Sequence, residues 1–306
     1  MLYYCHIAHG NFGDALNPWL WSRLAPEVCD TNPARRFLAI GTILSRTVPA
    51  APFKVVFGSG TSGDSAPALD EKWFVYCVRG PLTAAKLNLD ARLALTDPAV
   101  LVRRVPLTPQ RKIHRVSFMP HHRSAFEADW SKLCARIGMH CIDPRRDVEQ
   151  VLAELQQTEL LVTEAMHGAI VADALRVPWI PVRLYGHFTE FKWRDWTESV
   201  QVPLALASVP PVYERGSFSR KGVAHAFKKA ATSVGLGKSK WKYFRIRPSR
   251  ADEIAESVQA LAKLAMTGKP QLSDEATIQR LEARLFETLG QIRAAWPRGD
   301  FKPPQR

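Results

Sequence analysis

Apolar positions along this chain switch repeatedly between a strand rhythm and a helix rhythm. Leu160 to Val182 shows both in succession. Leu160 to Val162, continuing into Thr163, is a short apolar run suited to a strand. Met166, Ile170, Ala174 and Leu175 then recur at helical spacing. Val177-Pro178 ends that helix, because proline disfavours helical backbone in the residue before it. Trp179 to Val182 is a second apolar run. Strand, short helix and strand make a βαβ unit, a piece of parallel sheet.

The same alternation runs through the preceding sequence. Leu2 to Ile7 reads as a first strand, followed by Gly10-Asn11-Phe12-Gly13-Asp14 and a helix with Leu16, Leu20 and Leu24 on one face. Asp14 or Asn17 can cap that helix, and Pro18 suits its first turn. Phe37 to Ile40, Lys54 to Phe57 and Trp73 to Val78 read as further strands, and Pro81 opens a helix through Leu82, Ala85 and Leu89. Arg103 to Lys112 is basic and broken by two prolines, so it reads as a linker. Beyond it lies strand Arg115 to Met119. Ser124 and Glu127 have capping-box spacing and start a helix that turns Phe126, Trp130, Leu133 and Ile137 inward. Strand His140 to Ile142 and helix Arg146 to Gln156 lead into the unit described first.

The expected fold is therefore α/β, with two doubly wound, Rossmann-like domains over 1–108 and 109–212. A third region, 213–306, has a different character. From Arg215 to Arg250 there is no acidic residue, and Trp241, Tyr243 and Phe244 are interleaved with Lys240, Lys242, Arg245 and Arg247. Such a basic amphipathic stretch suits an anionic membrane surface or, as the other reading, nucleic acid; a merely solvated face is the third. Two helices follow, with stripes at Ile254, Val258, Leu261 and Leu264, and at Ile278, Leu281, Leu285, Leu289 and Ile292.

Charge sharpens this picture. The formal net charge is +13, which implies an anionic partner. No apolar run approaches the roughly 18 residues that a membrane span needs. The N-terminus carries no basic leader or cleavage site, and the five cysteines are scattered and odd in number. A cytoplasmic, reduced protein is expected, peripheral at the inner face of the membrane where the basic stretch meets anionic lipid.

The candidate chemistry sits at strand ends, where parallel sheets bind ligands. Glu164 and His167 lie at one strand-to-helix turn, His121 and His122 at another, and Arg79 at a third. Gly58-Ser59-Gly60-Thr61-Ser62-Gly63 matches G-x-G-x-x-G literally. It is not a dinucleotide fingerprint, because no helix starts inside it and Arg79 stands where an acid is required. It is either a glycine loop open to an anion or a tight turn. His121 and His122 are adjacent, without metal-ligand spacing.

Taken jointly and in order, GNFGD at 10–14, RGPLT at 79–83, TDPA at 96–99, PHH at 120–122 and HGAI at 167–170 resemble the polysaccharide pyruvyl transferases. The form TEAMHGAIVADALRVP is similar to the branch that builds pyruvate ketals on bacterial exopolysaccharides. The resemblance implies a glycosyltransferase-B-like pair of domains. It implies phosphoenolpyruvate as donor, with no cofactor, and a sugar hydroxyl pair, often on a lipid-linked oligosaccharide, as acceptor. Many members carry arginine two residues before the histidine, where this chain has Ala165, so the anion clamp is partly missing. Arg79, His121 and His122, or Arg183 or Lys192, are the candidates to replace it.

The expected roles follow from the chemistry. Protonating the enol methylene of such a donor needs an acid, and His167 is the candidate, with Glu164 close enough in sequence to hold its charge. Asp14 is the candidate to accept a hydroxyl proton; Arg79, His121, His122, Lys192, Asn11, Gly13, Gly58, Ser59 and Gly60 are candidate substrate contacts. A nucleotide-sugar glycosyltransferase on the same architecture is the alternative, and a non-catalytic basic protein acting through 215–250 is a third reading.

Overall fold

A computed structural model describes residues 1–63, 66–214 and 247–303. The expected membrane-surface segment, with Trp241, Tyr243 and Phe244, lies outside the described residues.

Two parallel sheets form the frame. The first has strands β1 (Leu2–Tyr3), β2 (Arg35–Leu38), β3 (Phe53–Phe57) and β4 (Trp73–Cys77), hydrogen-bonded in that order. The second contains β5 (His114–Met119), β6 (His140–Cys141), β7 (Thr158–Thr163), β8 (Trp179–Arg183) and β9 (Ala207–Ser208), in the order β6-β5-β7-β8-β9. Every recorded strand pair is parallel. The strands are apolar and buried on both faces, as covered parallel sheets require: Phe37, Leu38, Val55, Val56 and Phe57 in the first, Phe118, Leu161, Val162 and Ile180 in the second.

Helices supply the cover. They are α1 (Phe12–Leu24), α2 (Pro81–Lys86), α3 (Trp130–Ala135), α4 (Val148–Gln156), α5 (Met166–Ala174), α6 (Glu190–Ser199), α7 (Ala251–Thr267) and α8 (Glu275–Ala295). The turn Pro98–Arg104 is a 3₁₀ helix capped by Asp97. Helix α1 packs against α4, α5 and that turn. One apolar cluster accordingly runs from Phe37 and Val55 through Leu16 and Leu20 to Leu161 and Trp179. Helix α7 covers the second sheet through Val258 and Leu261. Helix α8 joins the cluster that contains the first sheet, where Trp296 meets Phe37 edge-on at 5.9 Å. Arg103 ties α8 down through ion pairs with Glu275 and Glu282. The fold is the expected α/β arrangement, two parallel sheets flanked by helices, with additional C-terminal helices.

Local departures have local causes. The first strand stops at Tyr3. Helix α1 starts at Phe12 after Asn11 in extended backbone, so Pro18 lies inside it rather than in its first turn. Proline has no N–H to give to the carbonyl four residues back; the Asn17 side chain donates to that Asp14 carbonyl instead, at 3.3 Å. Ser124–Phe126 is only a 3₁₀ turn, Asp129 caps α3, and Phe126 is exposed rather than inward.

Candidate active site

The second sheet reverses its winding at β5 and β7, since β6 lies to one side and β8 and β9 to the other. Such switch points are where open parallel sheets hold ligands. A cavity of about 360 Å³ lies there, a suitable size for a small-molecule site. Its walls come from the turns after β1, β2, β5, β7 and β8. They bring together Asn11, Gly13, Asp14, His121, His122, Glu164, His167 and Lys192 from the sequence reading. Thr42, Arg123 and His187 join them. A larger cavity of about 490 Å³ sits beside Phe126 and Trp130. Asp143, Asp129 and Arg146 in its wall are already paired, with Arg145, Lys132 and Glu154.

His167 stands in the first turn of α5 and reaches across to the first half of the chain. A Cβ added at Gly13 would fall 2.0 Å from its Nδ1, so the ring lies directly on the glycine backbone. Only glycine permits that approach. The other nitrogen, Nε2, is 3.5 Å from Asp97 Oδ2. Asp14 sits one residue beyond Gly13, and its carboxylate accepts from Asn11 Nδ2 at 2.6 Å. Burial pushes the Asp14 carboxyl up; the Asn11 hydrogen bond, His167 and Lys192 oppose that shift. A carboxyl so placed is suited to taking up a proton.

Glu164 does not partner His167. It is 2% exposed, and its oxygens accept from the backbone N–H groups of His121, Leu184 and Tyr185 at 3.2, 3.2 and 3.1 Å. The Ser124 hydroxyl donates to it as well, and His187 Nε2 lies 3.0 Å from that hydroxyl. Glu164 thus ties together the ends of β5, β7 and β8. The reason is direction: it ends a strand and faces neighbouring strands, whereas His167 has turned into the helix.

His121, His122 and His187 form a contiguous ring cluster, with centroids 4.3 Å apart for His121–His122 and 4.6 Å for His121–His187. Burial, then neighbouring cations and imidazoles, lowers all three: His121 to about 2, His122 and His187 to about 4. They are neutral hydrogen-bonding groups near pH 7, not the cations expected from the sequence. His121 Nδ1 accepts from the Arg123 N–H at 3.3 Å, so a neutral His121 ring carries its proton on Nε2. The positive charge comes from Arg123 and Lys192. Burial lowers Lys192 to about 8, with Arg79 and Arg123 adding to that shift and Asp14 opposing it. Arg183 is absent from the cavity wall and leans on Ser208.

The first half corrects two further expectations. Arg79 is fully buried. Its Nε pairs with Asp195 at 3.0 Å, and its remaining nitrogens donate to Thr42 Oγ1 and the Thr61 carbonyl. Gly58, Ser59 and Gly60 do not line the cavity. Gly58 packs on Pro98, Ser59 donates to the Ala39 carbonyl, and a Cβ at Gly60 would strike the Arg79 guanidinium at 2.2 Å. The glycine loop is a seat for a buried arginine, not an anion cradle. Arg123 stands beside His121 and His122 at a strand end that the sequence marks as anion-friendly, whereas Asp97, Ser124, His187 and Asp195 were not singled out as site residues from sequence. Of those four, Asp97 carried a signal, inside the TDPA motif. Among the described residues, no group of three or more His, Cys, Asp or Glu could hold a metal ion.

At the switch point of the second sheet the two α/β halves bring an imidazole, a carboxyl and cations into one cavity, an arrangement able to hold an anion and exchange a proton. The chain belongs to the polysaccharide pyruvyl transferase family, whose pattern it matches over residues 68–184, and it is a pyruvyltransferase. It is 42% identical over 212 residues to the succinoglycan biosynthesis protein ExoV of Rhizobium meliloti (strain 1021), a match covering 68% of this chain and 67% of that one. Among solved structures, the UDP-GlcNAc 2-epimerase of Methanocaldococcus jannaschii aligns over 82% of this chain and 80% of its own, at 12% identity and a TM-score of 0.36.

Proposed function

We propose that the enzyme transfers pyruvate from phosphoenolpyruvate to a pair of hydroxyls on an exopolysaccharide repeat unit, closing a pyruvate ketal. One observation carries this reading: His167 and Asp14 share a cavity with Lys192 and Arg123. The donor's carboxylate and phosphate need cations and hydrogen-bond donors, which Lys192, Arg123 and the neutral histidines supply. His167 gives a proton to the methylene carbon, turning CH₂ into CH₃ and making the middle carbon electrophilic. The first acceptor hydroxyl adds there and loses its proton to Asp14. Phosphate then leaves with the C–O electron pair. The second hydroxyl adds in its place and releases a proton that balances the leaving phosphate. The net products are one ketal and one inorganic phosphate.

The acceptor in this reading is a lipid-linked oligosaccharide. The acid-free run 215–250 holds the enzyme at the anionic membrane surface where such an acceptor lies. Among the described residues, no helix is long and apolar enough to cross a membrane.

The test is phosphate release from phosphoenolpyruvate in the presence of acceptor, with His167→Ala beside the wild type. General acid catalysis typically contributes about 10²–10⁴-fold, and kcat should fall by that order. The melting temperature should hold, because the side chain lines a cavity. A His167→Ala protein that melts normally and turns over at the wild-type rate would remove His167 from the reaction.

A further inference from the structure

We propose that Asp97 is the positioning residue for His167: its carboxylate holds the proton of the neutral ring on Nε2, which leaves Nδ1 as the nitrogen that exchanges a proton with substrate. This rests on the reading of His167 as the general acid.

The geometry is specific. Asp97 is wholly buried, and its two oxygens have different surroundings. Oδ1 accepts from the Ala99 N–H at 3.0 Å and caps the Pro98–Arg104 turn. Oδ2 is buried with no hydrogen-bond partner among the described residues, and the same is true of His167 Nε2. Those two orphaned atoms are 3.5 Å apart. Buried polar atoms are rarely left alone, so an unpaired donor facing an unpaired acceptor points to one contact. An ionised carboxylate can only accept, and the nitrogen facing it must therefore carry hydrogen.

The separation is long for a hydrogen bond, as is common for catalytic contacts before substrate is bound. The opposite nitrogen, Nδ1, lies over Gly13 on the cavity wall. When Nδ1 gives up its proton, the ring left behind carries Nε2–H, facing Asp97. A buried carboxylate that fixes an imidazole's tautomer is an orienting group, and exchanging it for an amide costs rate rather than fold.

Asp97→Asn separates this role from capping. The amide oxygen can still accept from the Ala99 N–H. Its NH₂ would face His167 Nε2, which must then accept and so carry the ring proton on Nδ1. The test is ring ¹⁵N NMR on the full chain, in the alkaline range where the ring signals no longer move with pH. The His167 signals are assigned by their loss in His167→Gln. The wild type should show the Nε2–H tautomer and Asp97→Asn the Nδ1–H tautomer. The kcat of Asp97→Asn should fall roughly 10²–10⁴-fold while donor KM stays within about threefold.

An Nδ1–H tautomer in the wild type overturns the proposal, and so does an unchanged tautomer or a wild-type kcat in folded Asp97→Asn. If Asp97→Asn does not fold, the wild-type tautomer decides alone. If His167→Gln turns over normally, the general-acid reading fails, while the tautomer result still reports on the Asp97 contact.

Discussion

Arg79→Ala should damage the fold before it damages donor binding. Arg79 and Asp195 are both 0% exposed, with Nε and Oδ2 3.0 Å apart. Asp195 also accepts from the Thr83 N–H and hydroxyl at 2.8 and 2.6 Å, so it fixes the start of α2 as well. Removing the arginine strands a buried carboxylate with two hydrogen bonds and no opposite charge. Breaking such a pair from one side typically costs about 3–5 kcal/mol. At about 2–4 °C per kcal/mol, the melting temperature should drop by roughly 6–20 °C. Calorimetry gives that number, and donor KM on the folded fraction gives the other half of the test. Arg79→Met with Asp195→Asn removes both charges and leaves an acceptor for Thr83. That double variant should regain much of the loss, because replacing a buried pair outright is far milder than halving it. An Arg79→Ala protein that melts within about 2 °C of wild type while its donor KM rises tenfold would refute this reasoning. Arg79 would then reach the substrate.

Two other outcomes follow from the charges. Lys192, lowered to about 8, is charged below that pH and neutral above it; donor kcat/KM should therefore fall as pH rises through about 8. In Lys192→Met that limb should vanish and donor KM should rise about 10–100-fold, the worth of one charge-assisted hydrogen bond. Full-length protein should co-sediment with anionic vesicles more than with neutral ones, weakening with salt, since each basic residue near such a surface contributes about 1 kcal/mol. Equal binding to both kinds of vesicle without salt dependence would end the membrane reading.

The architecture was legible because burial on both faces forces parallel strands to be apolar runs. Trp179 to Val182 and Lys54 to Phe57 could hardly be anything else, and the helical stripe at Ile278, Leu281, Leu285 and Leu289 lies in the core as its spacing requires. Boundaries were less legible where the chain's own chemistry changes them. Pro18 suggested a helix start, but Asn17 supplies a hydrogen bond to the Asp14 carbonyl and the helix runs through. Ser124 and Glu127 had capping-box spacing, yet the Ser124 hydroxyl is drawn to Glu164, forty residues away.

The positions of the site residues were readable, but their partners were not, and one geometric reason covers both failures. A βα turn sends residues three apart in opposite directions. Glu164 leaves the end of β7 sideways, into the N–H groups of the turns after β5 and β8. His167 leaves the first turn of α5 towards Gly13 and Asp97 in the other half of the chain. Sequence proximity suggested that these two would pair; the turn between them ensures that they do not. The same holds for Arg79, whose strand end looked open but whose charge meets Asp195, 116 residues on. In this two-sheet enzyme, the carboxylates beside the strand-end cation and the imidazole come from elsewhere in the chain, Asp195 from within α6 and Asp97 from the cap of the Pro98–Arg104 turn. Nothing in local spacing announces them. A buried acid in a helix-cap motif, such as Asp97 before Pro98, is where to look, because a cap uses one carboxylate oxygen and leaves the other free to face across the cleft.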